Sequence, residues 1–367
     1  MNKSLKYTWR ILLLPFSLVY GFAVWIRNMM FDLGILPSEE FKLPIISVGN
    51  ISAGGTGKTP HVEYLAELLK DPFKVAILSH GYRRKTRHFI VATENSSFEE
   101  IGDEPRQLKQ KYPDITVAVD RKRVHGVKML MKQDPLIDII LLDDAFQHRY
   151  IKPGFSILLI DYNQPLKKDF LLPAGRLREP GRNRNRADMI LVTKSPERIN
   201  PFERRQYVKN IKLHLRQHLY FTCMAYDNIY PVYHIENPHS FKYFKEKKVP
   251  VLIVTGIADP RSVKRFVRKI STNFKVLTYP DHHTYRGKDL EKIEEEYLAL
   301  GSEDAIIITT EKDAMRFEAL EPSGKLKQVM YKIRIKVEFL NNDAGNFNKQ
   351  IISYVTSNKR DSILHKK

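Results

Sequence analysis

The sequence predicts an α/β protein: a mainly parallel sheet with helices on both faces, then a smaller second α/β lobe, behind an N-terminal apolar helix. Three observations carry this. Apolar, β-branched runs alternate with helical stretches along most of the 367 residues, the pattern of strand–helix–strand units. The apolar run ending at Val48 leads into a glycine-rich loop and then Gly57-Lys58-Thr59, which opens a helix. Sixteen consecutive residues, Ile11 to Ile26, carry no charge.

The charge-free run is preceded by Lys3, Lys6 and Arg10 and followed by Arg27, with Tyr7, Trp9, Tyr20 and Trp25 as amphipathic rings. Such rings suit a membrane interface. A spanning helix needs about 20 apolar residues, with a range of about 17–25, so the run is marginal, though Met29, Met30 and Phe31 extend it. A cleaved signal peptide would end in an A-x-A-like site, and none follows. Residues 1–37 are therefore expected to be an uncleaved membrane anchor, spanning or lying in the interface. Because it supplies no phosphate ligand, its removal is expected to spare nucleotide binding.

Strands of the first lobe (38–218) are expected at 43–48, 73–79, 115–119, 137–142, 155–160 and 189–193, with helices at 58–69, 103–112 and 121–132. Residues 197–217 read as a charged, helical connector. The stretch 219–233, rich in aromatic and β-branched residues, reads as a strand pair linking the lobes. In the second lobe (219–367), strands at 249–255, 275–279, 305–310 and 329–337 alternate with helices at 259–270 and 288–298. The tail from Ser357 reads as frayed and solvated. No solenoid-period repeat and no low-complexity segment interrupts this order.

The net charge of +19 favours an anionic partner: nucleic acid, an anionic membrane surface or a phosphorylated substrate. Cys223 is the only cysteine. That excludes an internal disulfide and a cysteine metal cluster, and fits a reducing compartment. No RRM, KH, zinc-finger or helix–turn–helix signature supports nucleic acid.

Strand, glycine-rich loop and helix in that order build a phosphate cradle. Backbone N–H groups turn toward a polyphosphate and the helix N-terminus adds its positive end. The cradle comprises Ser52, Ala53, Gly54, Gly55, Thr56, Gly57, Lys58 and Thr59. Lys58 is expected to reach the β- and γ-phosphates of a nucleotide, and the Thr59 hydroxyl to ligate Mg²⁺. The strict P-loop pattern has glycine where this chain has Ser52. The apolar run 139–142 ends in Asp143-Asp144, the arrangement of a second nucleotide motif whose carboxylate holds Mg²⁺ beside the loop. Ligands of open α/β sheets bind beyond the carboxyl ends of the strands. Together these features make the fold P-loop NTPase-like.

Gly102-Asp103-Glu104-Pro105 is an acidic turn opening a helix. It reads either as a simple cap or as a place where Asp103 takes a proton from a substrate hydroxyl. Asp281-His282-His283 follows an apolar strand. Adjacent side chains in an extended stretch face opposite ways, so the two histidines are not expected to chelate one metal. Basic clusters recur at 83–88, at Arg121-Lys122-Arg123, and at Arg176, Arg178, Arg182, Arg184 and Arg186. They read either as solvated faces or as a receptor for a phosphorylated lipid head group.

The blocks SVGNISAGGTGKTP (47–60), LSHGYRRKT (78–86), GDEP (102–105), LLDDAFQHR (141–149), LLPAGRLREP (171–180), DHHTY (281–285) and TTEKDAMRF (309–317) occur in one order. As a set they resemble the tetraacyldisaccharide 4'-kinase family of lipid A biosynthesis. His80 and Ala145 stand where that family more often has Arg and Gly. The resemblance implies transfer of the γ-phosphoryl of ATP to the 4'-hydroxyl of a tetraacyldisaccharide 1-phosphate, a glycolipid. It implies the inner membrane of a Gram-negative cell, with the site facing the cytoplasm. It further implies that Ser52 to Thr59 wrap the phosphates, that Lys58 neutralises developing charge, and that Thr59 with one or both of Asp143 and Asp144 holds Mg²⁺. Asp103 would be the base, oriented by His282 or His283, with Glu179 a weaker candidate for the metal or substrate shell. No obligate protein partner and no nucleic acid is expected. The competing readings are a membrane-anchored nucleotide hydrolase and a nucleotide-dependent switch. A switch has no use for a separate proton acceptor such as the acidic turn and the histidine pair provide.

Overall fold

The computed structural model describes residues 3–364 apart from 83, 234–238, 258–259, 281–282 and 318–319. The chain forms two compact units, one of residues 1–224 with 337–367, the other of residues 225–336.

The first unit begins with α1 (Lys3–Asp32) and β1 (Ile45–Asn50), followed by α2 (Lys58–Leu69) and β2 (Val75–Ser79). Then come β3 (Ile90–Val91), α3 (Phe98–Ile101), α4 (Asp103–Lys111), β4 (Thr116–Val119), α5 (Arg123–Gln133) and β5 (Ile139–Asp143). It continues with β6 (Phe155–Asp161), β7 (Met189–Thr193), α6 (Pro201–Ile211) and the first part of β8 (His218–Pro231). Strand order is β8-β7-β6-β1-β5-β2-β4-β3, and only the short β3 runs antiparallel to its neighbour. Strands β1, β2, β5 and β7 are buried along their whole length, as their near-continuous apolar runs demand of a sheet covered on both faces.

The second unit adds α7 (Phe241–Lys247), β9 (Val251–Thr255), α8 (Arg261–Val267), β10 (Phe274–Thr278) and α9 (Gly287–Leu298). After these come β11 (Ile306–Thr310), α10 (Glu311–Phe317), α11 (Gly324–Val329) and β12 (Met330–Phe339). Its strands pair in parallel in the order β10-β9-β11-β12. The chain then returns to the first unit as α12 (Ala344–Leu364).

Helix α2 buries Val62, Leu65, Ala66 and Leu69 on one stripe. They pack with Ile46 and Val48 of β1 and with Phe347, Ile351 and Val355 of α12, which recur at helical spacing. On the other face, Val127 and Leu130 of α5 pack with Ile45, Leu78 and Leu142. Helices on both faces of a parallel sheet are therefore what the sequence builds.

Three expectations change. Where a strand pair was expected over 219–233, the chain forms one 14-residue strand, β8 (His218–Pro231); Asp227-Asn228 within it lacks the glycine that a tight reversal prefers. The tail is helical through Leu364. The second compact unit is 225–336 where 219–367 was expected, because the apolar stripe of α12 belongs to the first unit's core.

Helix α1 is long and apolar enough over Arg10–Asp32 to cross a membrane by length and composition. One stripe of it is docked. The Ser17 hydroxyl donates to the Leu171 carbonyl (3.0 Å) and accepts from the Ala174 N–H (2.9 Å). The Tyr20 hydroxyl donates to the Arg178 carbonyl (2.9 Å) and Arg27 to that of Gln147 (3.1 Å). Arg149 donates to the Asn28 carbonyl and pairs with Asp32 at 2.6 Å. The opposite stripe is exposed and apolar from Ile11 to Trp25.

Candidate active site

Every parallel strand of the first unit delivers its carboxyl end to one edge of the sheet. Strand β1 ends in the loop 51–57, which feeds Lys58 and Thr59 into the first turn of α2. Gly54 and Gly57 lie in left-handed backbone, at φ +112° and +87°, a region that favours glycine. A Cβ on Gly57 would also lie 2.3 Å from Met224 Cε. Ser52 is not among the positive-φ residues. It is buried and paired antiparallel with Leu177, so a side chain is tolerated where the strict pattern has glycine.

The loop is held from outside. The Ala53 N–H donates to Arg176 O (2.6 Å), and the Arg178 N–H to Ile51 O (2.8 Å). The Asn50 amide donates to the Thr56 hydroxyl (2.8 Å), and the Thr193 hydroxyl to the Thr56 carbonyl (2.8 Å). Lys194 donates to the Gly55 carbonyl and pairs with Asp161. His61 ties the start of α2 to β8, with Nδ1 at 2.7 Å from Gly57 O and Nε2 at 3.0 Å from the Thr222 hydroxyl. Burial pushes the His61 pKa down to about 4, against the opposing pull of the Gly57 carbonyl, so the ring is neutral near pH 7.

Register places Val48 beside Asp143, so the second acidic motif stands next to the entry of the loop. Asp143 is 1% exposed. Its Oδ2 accepts from the Ser79 hydroxyl at 3.1 Å, and its Oδ1 has no partner. Burial and then the neighbouring Asp144 charge raise its pKa, against Lys58, Arg123 and the Ser79 hydrogen bond. Asp144, at φ +48°, faces Lys58 Nζ at 3.6 Å and Arg178 Nη1 at 3.4 Å. Burial pushes its pKa up, but Lys58 and Arg178 outweigh that and the net shift is downward. Asp144 is therefore a fixed anion, whereas Asp143 carries an unpaired oxygen whose charge nothing fully balances. A divalent cation would correct that imbalance, so the donor set fits a metal. Among the described residues no group of three His, Cys, Asp or Glu converges on a metal position.

Arg123 is buried behind the pair, donating to the carbonyls of Asp120 (2.6 Å) and Asp143 (2.7 Å). Burial lowers its pKa to about 10, with Asp143 and Asp144 opposing. The rings of His80 and His148 lie 6.2 Å apart. Burial, then Arg123, pushes His148 down to about 4 and lowers His80 as well.

Asp103 is the first residue of α4. Gly102 before it (φ +94°) would place a Cβ 2.9 Å from the Tyr82 carbonyl and 3.2 Å from Gly81. The acidic turn is thus packed against the residues leaving β2, the strand next to β5. His283 belongs to the second unit. Its Nε2 meets Asp289 at 3.0 Å, and its ring stacks on Tyr279. His282 lies outside the described residues. Glu179, 1% exposed, is held by Asn183 (2.6 Å) and Arg186 (2.7 Å), so its visible contacts secure a loop.

The structure thus brings together Ser52 to Thr59, Asp143 and Asp144. The sequence reading missed Asn50, Ser79, Thr193 and Lys194 as supports, and gave Arg178 and Arg123 only as basic clusters. The position of Asn50 and Ser79 at strand ends was a signal; nothing local marked Thr193. The basic clusters are only partly solvated: Arg84 and Arg123 are buried, whereas Arg121, Lys122 and Arg182 are exposed.

A family model described as tetraacyldisaccharide-1-P 4'-kinase matches residues 9–356. A tetraacyldisaccharide 4'-kinase of Phocaeicola vulgatus is 44% identical over 353 residues, covering 95% of this chain and 96% of that protein. One of Flavobacterium johnsoniae is 41% identical, covering 95% and 98%. The crystal structure of LpxK from Aquifex aeolicus in complex with ATP superposes with a TM-score of 0.72 at 28% identity, covering 94% of this chain and 99% of that one. The match runs through the loop, the acidic pair and the acidic turn alike, and the chain belongs to the tetraacyldisaccharide-1-P 4'-kinase family.

Proposed function

We propose that this protein transfers the γ-phosphoryl of ATP to the 4'-hydroxyl of a tetraacyldisaccharide 1-phosphate, giving the bisphosphorylated precursor of lipid A. The observation that carries it is the juxtaposition of Lys58 with Asp144 at the mouth of a phosphate loop, in a chain of this family. In the reaction a 4'-oxygen lone pair attacks the γ-phosphorus, the bond to the β–γ bridging oxygen breaks, and ADP leaves with that electron pair. The hydroxyl proton passes to Asp103. Loop N–H groups and Lys58 hold the phosphates in line and stabilise the charge that develops on them. Thr59 with Asp143 or Asp144 would hold Mg²⁺, which when bound neutralises charge on the phosphate oxygens.

What supports Asp103 is its seat at the strand-end edge, beside the residues leaving β2, with its carboxylate on the first turn of α4. The pairing of Asp103 with His282 or His283 belongs to the same reading and is tested by kinetics. The exposed apolar stripe of α1 supports attachment to a membrane; the inner membrane of a Gram-negative cell, with the glycolipid taken from its cytoplasmic surface, belongs to the same reading.

The test supplies purified protein with Mg²⁺–ATP and the disaccharide 1-phosphate lipid and reads the lipid's mass. A gain of one phosphate is expected. Consumption of ATP with the lipid unchanged would refute the kinase and favour a hydrolase. In the same assay Asp103→Ala should lower the rate severely with little change in ATP affinity. His282→Ala or His283→Ala, whichever is the effective one, should add little on top of it. Independent losses would leave Asp103 acting alone.

A further inference from the structure

Helix α2 opens with Lys58 and Thr59, and α4 opens with Asp103. We infer that Glu63 is a positioning residue for the phosphoryl transfer: its buried carboxylate braces α4 against α2 and so fixes Asp103 relative to the phosphate cradle. The inference rests on the reading of Asp103 as the base.

Glu63 is 4% exposed, and glutamate is almost never buried so far unless it is paired. Its Oε1 accepts from the Gln107 side-chain amide at 2.8 Å, and its Oε2 meets Lys111 Nζ at 2.6 Å. Both partners belong to α4. The Glu63 carbonyl also accepts from the hydroxyl of Tyr112, the residue that caps α4, at 3.3 Å. Val62 and Leu65 of α2 share an apolar cluster with Leu108 and Tyr112, so the two helices lie on one face of the sheet. Apolar contact is non-directional and holds the helices together without fixing their register. A buried polar network with its hydrogen bonds made does fix it. Surface ion pairs are screened and contribute little, but this one is shielded: the Lys111 side chain is 19% exposed and that of Glu63 5%.

The spacing along each helix ties this brace to the chemistry. Glu63 follows Thr59 by one step of four residues, and Gln107 and Lys111 follow Asp103 by one and two such steps. Residues at that spacing share a helix face. The faces that carry Thr59 and Asp103 are therefore the faces that Glu63 joins, about 6 Å further along each helix. Both helices also start at the same edge of the sheet: α2 continues from the loop after β1, and Gly102 packs against the residues leaving β2. Gly102 seats the first turn of α4, and the brace sets how the helix swings about that seat. A misplacement of about 1 Å in a reacting group can cost roughly 10²-fold in rate, so a carboxylate that touches no reactant can still govern turnover.

The test uses the full chain with Glu63→Gln, alone and combined with Asp103→Ala. It measures kcat with radiolabelled ATP and the disaccharide 1-phosphate lipid, and ATP affinity by titration. Glu63→Gln keeps the shape of the side chain but leaves Lys111 without its anion. It should lower kcat roughly 10–100-fold with ATP affinity kept. In the Asp103→Ala background it should lower the residual rate no further, because a positioning residue loses its effect along with the group it positions. A loss of equal size in both backgrounds, a fall in ATP affinity, or an unchanged kcat overturns the inference. Removing one partner of a buried pair also destabilises a fold, so Glu63→Met with Lys111→Met is measured beside it. Two apolar chains of similar length keep the volume and the fold but not the brace, and the same loss of kcat is expected at a thermal midpoint close to the parent's. Parental turnover in that folded double variant overturns the inference. Near-normal turnover of Asp103→Ala by itself refutes the base, and this role of Glu63 with it.

Discussion

Acidification should loosen the first unit through one buried ring. His61 hydrogen-bonds both the Gly57 carbonyl and the Thr222 hydroxyl, and its folded-state pKa is lowered to about 4. An unfolded histidine titrates near 6.5. The unfolded chain therefore takes up the proton first, so the stabilisation is fully present above about pH 6.5 and is lost as pH falls toward 4. The whole gap of about 2.5 units corresponds to roughly 3.4 kcal/mol, of which about 2 kcal/mol is lost by about pH 5. Hydrogen exchange of the α2 amides reads this locally, compared between about pH 7.5 and pH 5 after correction for intrinsic exchange rates. His148 shares the same direction, so the decisive comparison is with His61→Gln, which keeps hydrogen-bonding groups but cannot charge. The variant should lose most of the α2 pH dependence that the parent shows. Equal pH dependence in both proteins would refute the assignment of this ring as a buried, neutral tether.

Further predictions concern the loop and the anchor. Lys58→Ala should cut turnover by roughly 10²–10³-fold with thermal unfolding unchanged, and near-normal turnover in the folded variant would remove the loop from the chemistry. Gly57→Ala forces a side chain into left-handed backbone, at about 1–3 kcal/mol, and against Met224 Cε. ATP affinity measured by titration should fall roughly tenfold or more, with Met224→Ala recovering the steric part only. Deleting residues 1–37 should release the protein from membranes and, contrary to the sequence expectation, also weaken ATP binding. Helix α1 holds the Leu171 and Arg178 carbonyls that position the loop's neighbour; unchanged affinity would mean that 171–178 holds itself.

What the sequence made legible is what neighbouring residues decide together. Strand, glycine-rich loop and helix are contiguous, and the sequence predicts a helix over 58–69, the bounds that α2 shows. Asp143-Asp144 was legible for the same reason. Less legible was anything assembled across distance: Thr193 on the Thr56 carbonyl, Thr222 on His61, and α12 returning to cover β1. A charged residue also misleads when backbone carbonyls satisfy it in the interior. Arg123 reads as one of three surface cations, yet it is sealed behind Asp143 by the carbonyls of Asp120 and Asp143. The 219–233 stretch failed for a related reason, since a strand pair and one long strand share the same composition.

The tethers on the phosphate loop have an entropic consequence. A glycine-rich segment left to itself samples many conformations, and fixing each residue removes about 1–2 kcal/mol of backbone freedom at room temperature. Here Asn50, Thr193, Lys194 and the 176–178 backbone have already fixed most of that freedom. A nucleotide arriving at the loop meets a backbone that is already held, so little ordering opposes binding. The exposed tip, Gly54 and Gly55, is left as the part that still adjusts. Affinity for phosphate should therefore be set by the stiffness of the strands beneath the loop as much as by the loop's own sequence.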